Sequence, residues 1–260
     1  MMRITVITVT YQAATVLQRT LNSVGDQRYP EVEHLIIDGG STDGTVAMAE
    51  AYASYWNNRG KGHRVVVRSE RDRGLYDAMN KGLRMATGTY VVFLNAGDRL
   101  HAADTLQKIA AAAEGHDSMP CVVYGLTDVV DERGVFLHHR RLVPPQKLSW
   151  RSFRQGMLVC HQAFYARTDV AKAHPYDLHY RLSADVDWCI RVMKAGEQEH
   201  APLVFVREVV VDYLDGGMSV KNHRASLWER FAIMRHHYGL LTTLVMHAWF
   251  VLRGIGQRLR

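Results

Sequence analysis

The chain has 260 residues, 47% of them hydrophobic and 22% charged, so it can bury a substantial core as one large domain or two fused ones. Its formal net charge of +6 at pH 7 indicates an anionic partner, such as nucleotide phosphates, nucleic acid or an acidic membrane surface. The three cysteines form no C-x-x-C pair, which argues against a disulfide scaffold or a zinc site and for reduced thiols in the cytosol.

Strand patterns alternate with helical patterns in the first part of the chain. The β-branched runs Arg3–Val9, Val32–Asp38 and Arg64–Arg68 predict three strands, and the apolar run Tyr90–Leu94 predicts a fourth that is buried on both faces. A helical pattern follows each of the first three, with Thr15 as the predicted N-cap of the first helix. Such alternation implies βαβ units, and therefore an α/β protein with a mostly parallel sheet.

The sequence pattern changes after the fourth strand, and two helices, three strands and a hairpin turn are predicted there. They are an alanine-rich helix at 102–114, strands at Cys121–Gly125, Leu126–Val130 and Val135–Leu142, a turn at Asp131–Gly134 between the last two, and a helix around Ala184–Ala195. Residues 221–260 are predicted to be wholly helical and basic.

Polar side chains stand at the ends of all four predicted strands. Each is a common turn former on its own, but in open α/β sheets ligands bind at the carboxyl edge of the strands. Together they can hold a base, a ribose, a diphosphate and a divalent cation, and a carboxylate such as Asp98 suits Mg²⁺ or Mn²⁺. The residues are Thr10 and Tyr11, Asp38, Asp72 and Arg73, and Asn95 and Asp98.

The sequence carries no G-x-G-x-x-G after the first strand and no G-x-x-x-x-G-K-[ST], which argues against a dinucleotide-dependent dehydrogenase and a P-loop ATPase. Its strand-end segments instead resemble, in order and spacing, the motifs of the family 2 inverting glycosyltransferases. The likeness is greatest to the branch that assembles bacterial exopolysaccharides such as colanic acid, which also has N-x-G-D. The matching segments are T-Y, I-I-D-G-G-S-T-D-G-T, S-E-R-D-R-G-L-Y-D-A-M-N-K-G and F-L-N-A-G-D.

The resemblance implies a GT-A (Rossmann-like) fold, with a mostly parallel central sheet flanked by helices and a helical C-terminal extension. It implies a nucleotide-sugar donor, bound by the strand-end residues Thr10, Tyr11, Asp38, Asp72, Arg73 and Asn95, and a divalent cation, Mn²⁺ or Mg²⁺, on Asp98. Gly39 replaces an Asp that reads a uracil ring in much of the family, so a UDP donor is not implied over a GDP or dTDP donor. Gly97 replaces a ribose-contacting Asp, which leaves Asp98 as the one expected metal ligand.

Three later segments resemble the acceptor side of the same family. The likeness implies Asp185 as the general base, with Ala184 in place of the usual Glu, and Asp187 as its structural partner. His161 and Gln162 are expected to orient the base or an acceptor hydroxyl. Helix capping by the two aspartates and a hydrogen-bonded core histidine are the structural alternatives. The loop D-G-G-M-S, with Gly216, Gly217 and Ser219, is expected to close over the diphosphate.

The resemblance thus implies an inverting transferase that moves a sugar to a lipid-linked saccharide in cell-surface polysaccharide synthesis, without nucleic acid as a partner. Residues 1–115 form the predicted donor half, 116–220 the acceptor half and 221–260 the basic C-terminal helices. One alternative is a sugar-nucleotide nucleotidyltransferase, although Tyr11–Val16 offers no glycine-rich phosphate loop. The other is a non-catalytic nucleotide-sugar-binding protein, which Ala184 and the reduced metal motif leave open.

A segment without charge, Gly239–Leu252, lies within the basic C-terminal region. As a helix it would be about 21 Å long, too short to cross a hydrocarbon core of about 30 Å. Its apolar face and basic flanks predict a helix in the membrane interface, and hence a cytoplasmic protein bound to the inner membrane surface. Packing on the catalytic domain or on another subunit is the alternative.

Overall fold

The sheet begins with strands buried along their whole length. The computed structural model describes residues 1–60, 62–217 and 222–258. In it β1 (Ile4–Thr10), β2 (Val32–Asp38) and β4 (Tyr90–Phe93) are buried at every position, as expected for β-branched strands covered on both faces. With β3 (His63–Ser69) they lie in the order β3-β2-β1-β4, and all their pairings are parallel.

Five more strands continue the sheet in the order β8-β6-β9-β5, with β7 paired to β6. Strand β8 is antiparallel to β4 and β6, whereas β6 and β9 are parallel to each other. The predicted α/β class with a mostly parallel central sheet is therefore confirmed. The five strands are β5 (Arg99–Leu100), β6 (Val122–Val130), β7 (Phe136–His139), β8 (Phe164–Arg167) and β9 (Leu203–Leu214).

Helices flank this sheet and extend the chain beyond it. Two short 3-10 turns, Trp150–Gln155 and His161–Ala163, lie between β7 and β8. The helices are α1 (Ala14–Gly25), α2 (Thr45–Asn57), α3 (Leu75–Met85), α4 (Thr105–Glu114), α5 (Thr168–Ala173), α6 (Ala184–Gln198), α7 (His223–Tyr238) and α8 (Leu240–Arg258).

The start of α1 differs from the prediction, because Ala13 and not Thr15 is the N-cap and no side chain of the helix itself caps it. Two N–H groups at this end find acceptors in the loop before α2. The N–H of Ala13 donates to Thr45 Oγ1 at 2.9 Å, and that of Ala14 to Asp43 Oδ2 at 3.0 Å. A contact between distant segments thus replaces the local cap that the sequence suggested.

The strands predicted at Cys121–Gly125 and Leu126–Val130 are one strand, β6. A Cβ atom on Gly125 would lie 2.5 Å from Val210 Cγ1, so the glycine gives β9 close access and does not end the strand. The predicted turn at Asp131–Gly134 is confirmed by the β6–β7 hairpin. Because a single sheet joins residues before and after position 115, the division into donor and acceptor halves stays a prediction.

The C-terminal residues form two helices, as predicted. In the described part of the chain, no helix combines the length and apolar character needed to cross a membrane. Helix α7 buries Ser226, Ile233 and Met234, while α8 leaves most of its large apolar side chains exposed.

Candidate active site

Thr10 ends β1 and Tyr11 follows it, at the carboxyl edge of the sheet. Thr10 Oγ1 is buried and has no hydrogen-bond partner within the described ranges, while the Tyr11 side chain is 66% exposed. A buried hydroxyl without a partner is unfavourable unless a ligand supplies one. An open aromatic ring beside it offers a stacking surface.

Asp38 is fully buried and shapes the loop after β2. Its Oδ2 accepts hydrogen bonds from the N–H groups of Gly40 and Ser41, at 2.9 and 2.8 Å, and from Ser69 Oγ at 2.7 Å. Ser41 Oγ donates to the other oxygen at 2.5 Å. These hydrogen bonds occupy both oxygens of the carboxylate, so Asp38 holds the conformation of the loop after β2.

Gly39 lies between Asp72 and Tyr11. A Cβ atom at this position would lie 2.8 Å from Asp72 Oδ2 and 3.3 Å from Tyr11 Cδ2. The carboxylate of Asp72 therefore reaches into the space that a side chain at position 39 would need. Arg73 points elsewhere: its side chain is 80% exposed and makes only a 3.4 Å contact with Asp77.

Asp98 is buried in the turn between β4 and β5, beside Leu214 at the end of β9. Its Oδ1 accepts the N–H of Leu214 and its Oδ2 the side-chain amide of Gln162, both at 2.9 Å. Burial raises the pKa of this carboxyl to about 6. Leu214 can pack this close to the Asp98 turn because residue 97 is a glycine. A Cβ atom at Gly97 would lie 2.6 Å from Leu214 Cδ2.

The turn that carries Asp98 is held by Thr20 of α1, which the sequence marked only as part of a helix face. Thr20 Oγ1 donates to the Asp98 carbonyl at 2.6 Å and accepts the N–H of Gly97 at 2.9 Å. A hydroxyl that both donates and accepts fixes the backbone of a tight turn.

Asp185 stands at the start of α6 and has a partner on each oxygen. His161 Nδ1 lies 3.2 Å from Oδ2, and the Tyr76 hydroxyl donates to Oδ1 at 3.2 Å. Burial raises the pKa of Asp185, but hydrogen bonding and charge from His161, with the charge of Arg230, outweigh it and lower the pKa overall. Asp185 is thus an ionised carboxylate at neutral pH. Tyr76 was not among the predicted site residues.

His161 also reaches Asn95, whose Nδ2 lies 3.4 Å from the imidazole Nε2. In the neutral tautomer whose Nδ1–H donates to Asp185, Nε2 accepts from the Asn95 amide. Because His161 faces Asp185 while Gln162 faces Asp98, one 3-10 turn contacts two carboxylates that are far apart in the sequence.

The other predicted acceptor-side residues lie around this cluster. Asp187 is turned to the helices, where it accepts from Arg191 Nε at 2.7 Å and from His237 Nε2 at 2.8 Å. Gly216, just after β9, has a φ of +84°, a backbone conformation that favours glycine. A Cβ atom on Gly217 would collide with the Tyr213 hydroxyl. Ser219 lies outside the described residues.

The residues around Asp98 fit a divalent cation. Asn95 Oδ1 is buried and has no hydrogen-bond partner in the described part of the chain. The turn thus offers an amide oxygen and a carboxylate, the ligand types that Mg²⁺ and Mn²⁺ prefer. A cation would also offset the cost of burying the Asp98 charge.

A second group of metal-ligand type, His101, Asp128 and Asp212, has its ligand atoms within 4.8 Å of one another. Arg99 Nε, however, lies 2.5 Å from Asp212, and His101 Nδ1 lies 2.6 Å from the same carboxylate. A guanidinium beside the carboxylate neutralises it and repels a cation. We therefore interpret this group as an ion-pair network.

Comparison with known proteins is consistent with this arrangement. The family model described as Glycosyl transferase family 2 matches residues 5–173. Relatives named PGL/p-HBAD biosynthesis glycosyltransferase, in Mycobacterium bovis and Mycobacterium tuberculosis, are 38% identical over 183 residues, or 70% of this chain and 66% of theirs. The amylovoran biosynthesis glycosyltransferase AmsB of Erwinia amylovora is 29% identical over 195 residues, or 72% of this chain and 62% of its own.

Solved structures share the fold at low sequence identity. Staphylococcus aureus TarS, in complex with UDP-GlcNAc, has a TM-score of 0.69 at 20% identity, covering 90% of this chain and 65% of that one. The mannosyltransferase PcManGT from Pyrobaculum calidifontis, in complex with GDP-Man and Mn²⁺, has a TM-score of 0.60 at 18% identity, covering 99% and 80%. At these identities the likeness shows a common fold.

Proposed function

The chain belongs to glycosyl transferase family 2, and from that premise we propose that it moves a sugar from a nucleotide-sugar donor to a lipid-linked saccharide with inversion, in cell-surface polysaccharide synthesis. The observation that carries the proposal is the His161–Gln162 turn, which contacts Asp185 on one side and Asp98 on the other. It places a proposed base beside a proposed metal ligand, where an acceptor hydroxyl and a sugar diphosphate have to meet.

In the proposed reaction, Asp185 accepts the proton of the acceptor hydroxyl as the oxygen attacks the anomeric carbon. The lowered pKa keeps Asp185 ionised, and hydrogen bonds from His161 and Tyr76 fix both of its oxygens. The carbon–oxygen bond to the nucleoside diphosphate breaks as the new one forms. One displacement with one base gives an inverted anomeric configuration.

Asp98 and Asn95 are the proposed ligands for Mg²⁺ or Mn²⁺, supported by the buried carboxylate and the unpartnered amide oxygen. The cation would neutralise charge on the departing diphosphate. A neighbour of the same fold was solved with Mn²⁺ and its nucleotide sugar.

For the donor we propose that Tyr11 and Asp72 face the base and Thr10 supplies a hydroxyl contact. Asp72 Oδ2 reaches toward Gly39, so this carboxylate can accept an N–H from a base lying against Tyr11. Neighbours of this fold carry UDP-GlcNAc in one case and GDP-Man in another, so the proposal covers the donor class and no single nucleotide.

Membrane association is proposed from α8. Its predicted apolar face is exposed, with Leu241 at 78% and Leu252 at 67%, and α7 adds Trp228 at 74%. These exposures argue against packing of this apolar face on the catalytic domain. Arg253, stacked 4.4 Å from the Trp249 ring centroid, adds positive charge next to the apolar face. This pattern suits a helix in the interface of an anionic membrane. We therefore propose a location on the cytoplasmic face of the inner membrane.

The test is release of nucleoside diphosphate from candidate nucleotide sugars, with and without a lipid-linked saccharide, followed by NMR assignment of the product anomer. Acceptor-dependent release with an inverted linkage is expected. Binding of the nucleotide sugar without turnover would support a non-catalytic binding protein. Formation of a nucleotide sugar from a sugar phosphate would support a nucleotidyltransferase. Either result would overturn the proposal.

A further inference from the structure

Helix α6, which carries Asp185, begins without a side-chain cap of its own. Ser183 is its N-cap residue, but the Ser183 hydroxyl makes no capping bond. It lies instead 3.0 Å from the hydroxyl of Ser226 on α7, and both serines are buried. The backbone that leads into Asp185 must therefore find its acceptors elsewhere.

Those acceptors come from one residue of α7. Glu229 Oε1 accepts the N–H of Arg181 at 2.9 Å, and Oε2 accepts those of Leu182 at 2.8 Å and Ser183 at 2.9 Å. A carboxylate that accepts three backbone N–H groups is a strong, charge-assisted anchor. Asp185 follows two residues after the last of these donors.

Helix α7 is also fixed at its other end. His237 Nε2 lies 2.8 Å from Asp187 Oδ1, and the Tyr238 hydroxyl donates to the Trp150 carbonyl at 2.6 Å. Two attachments about two turns apart leave α7 little freedom to slide along α6. The same helix carries Arg230, whose Nε is buried without a hydrogen-bond partner among the residues described.

We infer that α7 belongs to the acceptor side of the active centre, with Glu229 as the residue that positions the base Asp185. This inference rests on the proposed function for the role of Asp185, while the anchoring itself rests on the three hydrogen bonds. Glu229 touches no reacting atom and acts through the backbone of residues 181–183. Its loss should therefore reduce turnover and leave the donor site unaffected.

The test compares Glu229→Ala and Glu229→Gln with Glu197→Ala in the full-length chain. Glu197 is the matched control, since it is an exposed glutamate of α6 that pairs with Trp150 and Arg151 at the far end of the helix. Hydrogen exchange of the amides of residues 181–186 is measured first. Faster exchange is expected in Glu229→Ala, an intermediate rate in Glu229→Gln, which keeps one acceptor oxygen, and no change in Glu197→Ala.

Kinetics with the nucleotide sugar and acceptor form the second arm. For Glu229→Ala, kcat should fall by about 10- to 100-fold, the scale of a misplaced catalytic group, while nucleoside diphosphate affinity stays within about twofold. Partial rescue by Glu229→Gln is expected. Unchanged exchange at residues 181–186, or an equal loss of kcat in Glu197→Ala, would overturn the inference. If the wild-type chain transfers no sugar, the proposed function fails by itself, and hydrogen exchange still tests the anchoring by Glu229.

Discussion

The donor side and the acceptor side of the candidate site are built in different ways. On the proposed donor side, Thr10 and Asp38 end β1 and β2 and Asp72 follows β3, so the parallel sheet itself brings them to one edge. On the acceptor side, Asp185 depends on contacts from His161, Tyr76 and the α7 helix. Strand order fixes the first set, whereas long-range side-chain contacts fix the second.

Asp98 combines both kinds of support, a position after a strand and long-range side-chain and backbone contacts. It follows β4 on the donor side, yet its carboxylate is held by Leu214 after the long β9 strand and by Gln162 of the 3-10 turn. Both partners come from the predicted acceptor half, residues 116–220. The comparison therefore predicts that changes at this junction have the largest effect, and that effects become smaller toward the C-terminal helices.

Replacing Asp98 tests the junction. Asp98→Ala should abolish transfer, and chelating the wild-type enzyme should do the same, because charge on the departing diphosphate is then left without a counter-charge. Mn²⁺ should raise the melting temperature of the wild-type chain and not of the variant. Turnover at the wild-type rate in excess EDTA would contradict the assignment.

Asp185→Asn probes the acceptor side alone. The amide keeps the shape of the carboxylate but cannot take a proton, so kcat should fall by about two to four orders of magnitude while donor binding persists. Asp187→Asn is the neighbouring control, since that carboxylate faces Arg191 and His237. If Asp187→Asn were inactive and Asp185→Asn active, the two roles would be reversed.

The same contrast explains what the sequence could predict about the fold. Periodic apolar patterns marked β1 to β4 and their helices, because strand and helix periods are local properties. Strand β9 was not predicted, although Leu203–Val206 and Val209–Val211 are apolar, β-branched runs, and its first half is only partly buried. It is defined by pairing with β6, which a local pattern does not reveal.

The sequence predicted the strand-end residues of the site but not the residues that hold the site through long-range contacts. The motif residues at strand ends were recognisable in the sequence. In the structure, however, the Asp38 carboxylate is hydrogen-bonded within its own loop, and the Arg73 side chain is exposed to solvent. The supports of the site were not visible: Thr20, Tyr76 and Glu229 stand 78, 109 and 46 positions from the partners that they hold. Contacts across such separations depend on the completed fold.

Helix α8 tests whether the C-terminal region adds membrane binding to these supports. Leu241→Glu with Leu252→Glu places two charges on the exposed face without removing a core contact. The variant should no longer sediment with anionic vesicles, and its activity on a lipid-linked acceptor should fall by at least about tenfold, the scale of losing one buried leucine from the interface. Donor affinity should not change.

Glu114→Gln, at the exposed end of α4, is a control outside the two C-terminal helices. Full-length wild-type protein that shows no affinity for anionic vesicles would contradict the membrane proposal. If the Leu241→Glu, Leu252→Glu variant still bound vesicles, α8 would not be the membrane-binding element.

The smallest expected effect concerns the tie between α6 and α7 and appears as a pH-dependent change in stability. Burial raises the pKa of Asp187, but the hydrogen bond from His237 and the charge of Arg191 outweigh it and lower the pKa overall. A carboxyl with a lowered folded-state pKa stabilises the fold above its ordinary pKa of 3.8, and this stabilisation is lost as the pH falls through the folded-state value.

Asp187→Asn should therefore lower the free energy of unfolding by about 2 kcal/mol at pH 7, and by less as the pH drops below about 4. Urea unfolding of both chains at pH 7 and at decreasing acidic pH measures the difference. A gap that stays constant with pH would mean that Asp187 acts by its shape alone, and that its charge does not hold α7 on α6.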